Sequence, residues 1–141
     1  MFVGFLGTHE RSLDDKGRLA LPVPFRSHLG DTCFATRAPG AACLGVWTAE
    51  DFQRTLGRLR ERVRNGEAST NQLRRFAAGA AELRQDSQGR VVLPSHLRDA
   101  VGLDREVMVI GAGDRVEVWD PQRWTEVHDA AEDAADDGNW M

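Results

Sequence analysis

The chain contains one short pattern twice, as LDDKGRLALP at residues 13–22 and as RQDSQGRVVLP at residues 84–94. Both stretches share the spacing Asp-x-x-Gly-Arg-x-x-Leu-Pro. A shift of 72 residues superimposes these motifs and further pairs in the flanking sequence, namely Arg26 on Arg98, Gly30 on Gly102, Trp47 on Trp119 and Phe52 on Trp124. Because the register holds on both sides of the motif, we expect two copies of one supersecondary unit.

The motif itself predicts a tight turn between two strands. Aspartate at the first position and glycine at the fourth position are typical of a β-turn. The residues that follow, RLAL and RVVL, favour short strands. Pro22 and Pro94 then end each strand and open a short helix. A second hairpin and a longer helix complete each copy, so the expected fold class is α+β.

The repeat divides the chain into four parts. We expect a first repeat with its following helix at 1–64, a helical insert at 65–79, a second repeat with a C-terminal helix at 80–136, and a flexible acidic tail at 137–141. Helical spacing supports the first long helix through Phe52, Leu56, Leu59 and Val63. Residues that start helices are also present, namely Thr48, Ser69 and Asp120.

The distribution of charge is more informative than the net charge of −4. Residues 126–141 hold six acidic groups and no Lys or Arg, so the remaining residues have 18 basic against 16 acidic groups. Of the basic residues 17 are arginines, and Lys16 is the single lysine. The body of the chain is therefore weakly basic, and a nucleic-acid partner stays possible.

Several classes of protein are not indicated. No apolar run reaches the ~18–20 residues of a membrane span, and the start MFVGFLG lacks the basic region of a signal peptide. Two cysteines do not make a disulfide framework, and the spacings of the four histidines match no zinc pattern. No nucleotide loop or catalytic motif is present. We expect no enzyme activity, cofactor, metal, small-molecule substrate or membrane partner, and a cytoplasmic location.

The two motif arginines, Arg18 and Arg90, leave two explanations open. They could be ordinary exposed strand residues, or partners for the aspartate of their own turn. Alternatively, Asp14 and Asp86 hold them at the mouth of each turn and they read guanine, because arginine binds the O6 and N7 atoms of this base through two parallel hydrogen bonds. Lys16, at the tip of the first turn, would suit a phosphate contact. Gln88 occupies the same position in the second copy, so we expect the copies to be non-equivalent on DNA.

These motifs resemble the MraZ family, bacterial transcriptional regulators of the SpoVT/AbrB-like superfamily. The resemblance covers nearly the whole chain and includes the start MF…G, the stretch LRRFAAGAAE at 73–82 and the paired VW stretches. It implies a double-split, swapped-hairpin AbrB-like β-barrel of two interlocked halves within one chain, flanked by helices. It also implies a ring-shaped homo-oligomer on double-stranded promoter DNA.

The resemblance implies the site and the role as well. The family binds tandem short G-containing repeats in the promoter of its own operon, upstream of cell-division and cell-wall genes, which would make the protein nucleoid-associated. The implied DNA-binding residues here are Asp14, Lys16, Gly17, Arg18, Asp86, Gly89 and Arg90. Because the superfamily also contains toxin neutralisers, an antitoxin-like or scaffold interaction module remains the alternative function.

Overall fold

The computed structural model describes residues 4–133 together with Gly138 and Met141. The predicted tail at 137–141 and the last residues of the second repeat therefore lie mostly outside the described part. Eight strands and five helices are described: β1 Thr8–Ser12, β2 Arg18–Ala20, α1 Val23–Leu29, β3 Thr32–Arg37, β4 Leu44–Thr48, α2 Ala49–Arg64, α3 Thr70–Ala78, β5 Ala81–Arg84, β6 Arg90–Val92, α4 Ser95–Ala100, β7 Glu106–Gly111, β8 Val116–Trp119 and α5 Pro121–Asp133. The α+β class is confirmed.

The two repeats share their sheets. A six-stranded antiparallel sheet has the order β1-β7-β8-β4-β3-β5, and a two-stranded sheet joins β2 to β6. Four of these six pairings (β1 with β7, β8 with β4, β3 with β5, β2 with β6) connect one repeat to the other. Among the described residues no pairing joins the edge strands β1 and β5, so a closed barrel is not shown.

The sequence shift between the repeats changes locally, and the structure explains where. One residue separates Gly30 from β3, whereas three residues separate Gly102 from β7. The hairpin loop 38–43 then has six residues, and its counterpart 112–115 has four. The second repeat thus has two more residues before β7 and two fewer residues in the hairpin loop that follows this strand. The shift of 72 residues is restored by β4 and β8, where Trp47 and Trp119 coincide as expected.

A hydrophobic core lies between the two sheets and the short helices. In the β2–β6 ribbon, Leu19 and Val91 are directly opposite each other and both are buried. The same core includes Phe25 from α1 and Leu97 from α4. Burying an aliphatic side chain of this size contributes about 1.5–3 kcal/mol. The ribbon is therefore fixed to the core by its inner face.

The predicted helix starts are confirmed. The Thr48 hydroxyl accepts a hydrogen bond from the backbone N–H of Asp51 at 3.0 Å. Ser69 and Gln72 form a reciprocal capping box, with distances of 3.1 and 2.7 Å. The apolar stripe of α2 is only partly covered, because none of its residues is fully buried.

Both cysteines are free and buried. Burial raises the pKa of Cys33 to about 11 and the pKa of Cys43 to about 12, so both thiols are protonated at neutral pH. In the described ranges no group of three His, Cys, Asp or Glu residues could hold a metal ion. The helices described are also too short or too polar to span a membrane.

Candidate nucleic-acid interface

The first motif turn is organised by the carboxylate of Asp14. Its Oδ1 atom accepts hydrogen bonds from the backbone N–H groups of Lys16 and Arg18, both at 2.9 Å. The backbone carbonyl of Asp14 accepts a third bond from the N–H of Gly17 at 3.0 Å. Gly17 has φ +75°, a left-handed conformation that non-glycine residues rarely adopt. The aspartate and the glycine thus together define the turn.

The same carboxylate holds the arginine side chain. Oδ2 of Asp14 accepts a hydrogen bond from Nε of Arg18, and the two groups form an ion pair. The Arg18 side chain is 33% exposed. Among the described residues neither terminal nitrogen, Nη1 or Nη2, has a hydrogen-bond partner. One edge of the guanidinium is therefore anchored while its terminal nitrogens remain available.

The electrostatics of the turn follow from these contacts. The hydrogen bond from the backbone N–H of Arg18 is the main cause that lowers the pKa of Asp14 to about 2. Desolvation opposes it, and the guanidinium of Arg18 and the backbone N–H of Lys16 lower the pKa further. The Asp14 carboxylate is therefore ionised at neutral pH. It orients Arg18 as a charged partner, and it also cancels part of the positive charge that the turn presents.

The second turn repeats this geometry. Oδ1 of Asp86 accepts from the backbone N–H groups of Gln88 and Arg90 at 2.8 and 2.9 Å, and Oδ2 accepts from Nε of Arg90 at 2.8 Å. The Arg90 side chain is 31% exposed, and Gly89 has φ +74°. The backbone N–H and the guanidinium of Arg90 lower the pKa of Asp86 below its ordinary value.

The β2–β6 ribbon brings the two arginines to one surface. In the register of this antiparallel pair, Arg18 lies opposite Val92, and Arg90 lies opposite Ala20. Side chains alternate between the faces of a strand, so these four residues share the outer face while the pair between them is buried. The arginines are diagonal neighbours, with a separation of about 7–8 Å between their backbone positions.

Two further arginines support the turns, and sequence reasoning did not assign them to the site. Nε of Arg26 in α1 donates to the carbonyl of Leu21 at 2.8 Å. Nε of Arg98 in α4 donates to the carbonyl of Leu93 at 3.0 Å. The internal repeat could have indicated them, because Arg26 and Arg98 occupy the same position in the two copies under the shift of 72 residues.

Each of these helix arginines packs on the turn of the other repeat. A Cβ atom added to Gly89 would lie 2.5 Å from Cδ and Nε of Arg26. A Cβ atom added to Gly17 would lie 3.1 Å from Cζ and Nε of Arg98. The backbone conformation favours glycine at both turns, and close packing adds to this, more strongly at Gly89 than at Gly17.

Backbone hydrogen bonds also link each turn to the other repeat. The N–H of Leu21 donates to the carbonyl of Gly89 at 3.1 Å, and the N–H of Leu93 donates to the carbonyl of Gly17 at 2.9 Å. The two turns and the ribbon are therefore one unit. The structure places all seven predicted site residues in this unit, with Lys16 and Gln88 exposed at the two turn tips.

Replacing Gly89 by alanine is expected to lower the free energy of unfolding by about 1–2 kcal/mol, because the left-handed conformation is strained for a residue with a Cβ. Arg26 would also have to move. The matched control is Gly57→Ala in α2, where an added Cβ meets no atom within 4 Å. This control should raise stability by about 0.5–1 kcal/mol. Equal effects in guanidinium chloride unfolding followed by circular dichroism would contradict the assignment.

The Asp14 carboxyl group should titrate near pH 2 in the folded protein, which NMR of its side-chain carbon can measure. Its pKa in the unfolded chain is near the ordinary value of 3.8, so the unfolded chain binds more protons between these values. The contribution of the Asp14 carboxylate to the free energy of unfolding is therefore complete above about pH 4, and it is lost as the pH falls through about 2. The stability difference from Asp14→Asn should shrink over that range. Titration of Asp14 at or above pH 3.8 would be inconsistent with this turn.

Comparison with known proteins agrees with the internal repeat. The family described as "MraZ protein, putative antitoxin-like" matches residues 4–75 and again 76–138. Many similar proteins carry the name Transcriptional regulator MraZ, among them those from Paenarthrobacter aurescens, Salinispora arenicola and Kocuria rhizophila. The one from Paenarthrobacter aurescens (strain TC1) is 41% identical over 138 residues, which cover 96% of each chain.

The other two relatives match most of the chain at similar identity. The protein from Salinispora arenicola (strain CNS-205) is 46% identical over 120 residues, or 85% of this chain and 84% of the relative. The protein from Kocuria rhizophila is 43% identical over 120 residues, or 85% and 83% of the two chains. With both repeats matched and identity above 40% over most of its length, the chain belongs to the MraZ family.

Proposed function

We propose that this protein is a sequence-specific DNA-binding transcriptional regulator that reads guanine through Arg18 and Arg90. The observation that carries the proposal is the position of both guanidinium groups on the same outer face of the β2–β6 ribbon. Relatives named as transcriptional regulators support the regulatory role. The proposed location is the nucleoid in the cytoplasm.

The geometry suits base recognition in the major groove. This groove admits a two-stranded β-ribbon, and it presents the O6 and N7 atoms of guanine as two acceptors. Because Asp14 and Asp86 hold Nε, the orientation of each guanidinium is set before DNA binds. Less side-chain entropy is then lost on binding. The aspartates act as positioning residues, and the glycines allow the turns.

The two ends of the ribbon differ in their expected phosphate contacts. Lys16 is exposed at the first turn tip, where it would place a cation near the DNA backbone. Gln88, also exposed at the second tip, can donate a hydrogen bond but has no charge. We therefore infer that the Arg18 end contributes more to the salt-dependent part of the affinity.

A single ribbon would bind DNA weakly, since non-specific affinity comes from many phosphate contacts and the chain has a net charge of −4. We infer a ring-shaped homo-oligomer that binds tandem short G-containing repeats in the promoter of its own operon, upstream of cell-division and cell-wall genes. The partly covered apolar stripe of α2 is consistent with contacts between subunits. The proposal includes a swapped-hairpin barrel and the division at 1–64, 65–79 and 80–136. The four cross-repeat pairings support the interlocking of the two halves that such a barrel needs.

The alternative is an antitoxin-like or scaffold module that binds protein. A cleft of about 340 Å³ offers one place for a protein segment, between the β3–β4 loop and the helices α2 and α3. Its lining includes Arg37, Arg75 and Phe76, which combine charge with an aromatic surface. This alternative requires no role for the exposed ribbon face, and DNA-binding measurements therefore separate the two functions.

Replacing Arg18 or Arg90 by alanine should weaken binding to DNA from upstream of the chain's own gene by about 5- to 150-fold, which corresponds to about 1–3 kcal/mol per lost guanine contact. The double variant should lose specific binding altogether while keeping its circular dichroism spectrum. Arg58→Ala on α2 is the control with equal loss of charge. Undiminished binding in a gel-shift assay of the double variant would favour the protein-binding alternative.

Affinity should also depend on the number and spacing of the DNA repeats. Linked sites on one oligomer raise avidity by about 10²–10⁴ without new contacts. Fragments of constant length with one, two or more intact repeats should therefore differ strongly in titrations, and altered spacing should reduce the gain. If one isolated repeat bound as tightly as several in tandem, the multivalent mechanism would be wrong.

A further inference from the structure

Arg26 and Arg98 have no acidic partner in the described part of the chain. Ion pairs are present for other arginines, including Arg18 with Asp14 and Arg90 with Asp86. The two helix arginines instead donate Nε to a backbone carbonyl. Each therefore keeps a full positive charge that no carboxylate neutralises.

These guanidinium groups are also partly removed from water. Both side chains are half-buried against a turn glycine of the opposite repeat. Withdrawing a cation from solvent is costly unless an anion or several hydrogen bonds compensate. The bond from Nε uses one of the five N–H donors of arginine, and four donors remain on the terminal nitrogens. Such a fork matches the oxygens of a phosphate group.

Their place in the fold puts them beside the base-reading arginines. Arg98 packs on Gly17, which directly precedes Arg18 in the chain. Arg26 packs on Gly89, which directly precedes Arg90. Each base-reading residue of one repeat thus has a neighbouring unpaired arginine from the other repeat. Protein–DNA interfaces use such cations to fix register on the backbone around a base contact.

We propose that Arg26 and Arg98 bind phosphates of the DNA backbone on either side of the two guanine contacts. The proposal rests on the proposed function and extends its site from one residue in each turn to a pair in which the partners come from different repeats. Each guanine contact and its neighbouring phosphate contact then come from different repeats, so both repeats are needed at each end of the ribbon. Because Arg26 packs on Gly89 and Arg98 packs on Gly17, the distance between each phosphate-binding arginine and the neighbouring base-reading arginine is fixed by the fold.

The competing explanation is that both arginines only hold the turns in place. A phosphate contact and a structural contact predict different salt dependence, because losing a phosphate contact reduces the number of counterions released. The two explanations also predict different effects on sequence specificity. A phosphate contact strengthens binding to every DNA sequence equally, whereas a misplaced Arg18 or Arg90 would mainly lose discrimination between sequences.

The test is the affinity of Arg26→Gln/Arg98→Gln between about 50 and 200 mM salt, measured by fluorescence anisotropy. The probes are a duplex from upstream of the chain's own gene and a scrambled duplex of the same length. The slope of log K against log salt should fall by about 0.9 for each lost phosphate contact, hence by about 1.8 for each protomer that contacts the duplex. Affinity for the two duplexes should fall by the same factor.

Two controls keep the outcomes distinct. Arg58→Gln/Arg62→Gln removes the same charge from α2, which packs against α3, β3 and β4, and should leave the slope unchanged. Arg26→Lys/Arg98→Lys keeps the charge and should keep the slope. If the Gln pair did not fold, single Arg98→Gln would serve, with an expected fall in the slope of about 0.9 for each protomer that contacts the duplex.

An unchanged slope in the Gln pair, together with a lower melting temperature or a loss of specificity alone, would overturn the phosphate assignment. The proposed function would survive that result if Arg18→Ala/Arg90→Ala still abolished specific binding. Conversely, the absence of DNA binding by the unaltered protein would remove the proposed function itself. The two failures are therefore distinguishable in the same set of titrations.

Discussion

The antiparallel pairing of β2 with β6 is the constraint on which the rest of the molecule depends. It joins the two repeats through three residues of each strand. Its inner side chains, Leu19 and Val91, are buried in the common core. Because strand side chains alternate, burial of this pair forces Arg18 and Arg90 to the outer face. One hydrophobic contact thus determines the orientation of both candidate base-reading residues.

The turns combine positive and negative groups within a few ångströms, and this has a consequence for binding. Asp14 and Asp86 orient the arginines but offset their charge. Under the proposed function, net attraction to DNA would therefore come from cations without an acidic partner, namely Lys16 and the proposed pair Arg26 and Arg98. Repetition of the unit in the proposed oligomer would add to it. The proposal thus assigns specificity and affinity to different side chains.

Local structure was predictable because its causes lie within a few residues. The Asp-x-x-Gly turns, the helix caps at Thr48 and Ser69, and the short helices after Pro22 and Pro94 depend on neighbouring groups. The repeat was visible for the same reason, since identical motifs need identical local geometry. The local change in the 72-residue shift around β3 and β7 was harder to predict from the sequence. It arises from two compensating differences in loop length, which only the strand pairings locate.

The sequence by itself determined the two turns and the presence of two copies of one unit. It left open whether each motif arginine is held by the aspartate of its own turn. Only the tertiary structure decided that the strands of the two repeats are paired with each other, that both arginines share one face, and that Arg26 and Arg98 contact the opposite turn. The physical reason is distance along the chain. These contacts join residues that lie 46 or more positions apart, as in the pair Ala35 and Ala81, and no local preference specifies such a pairing until the core is formed.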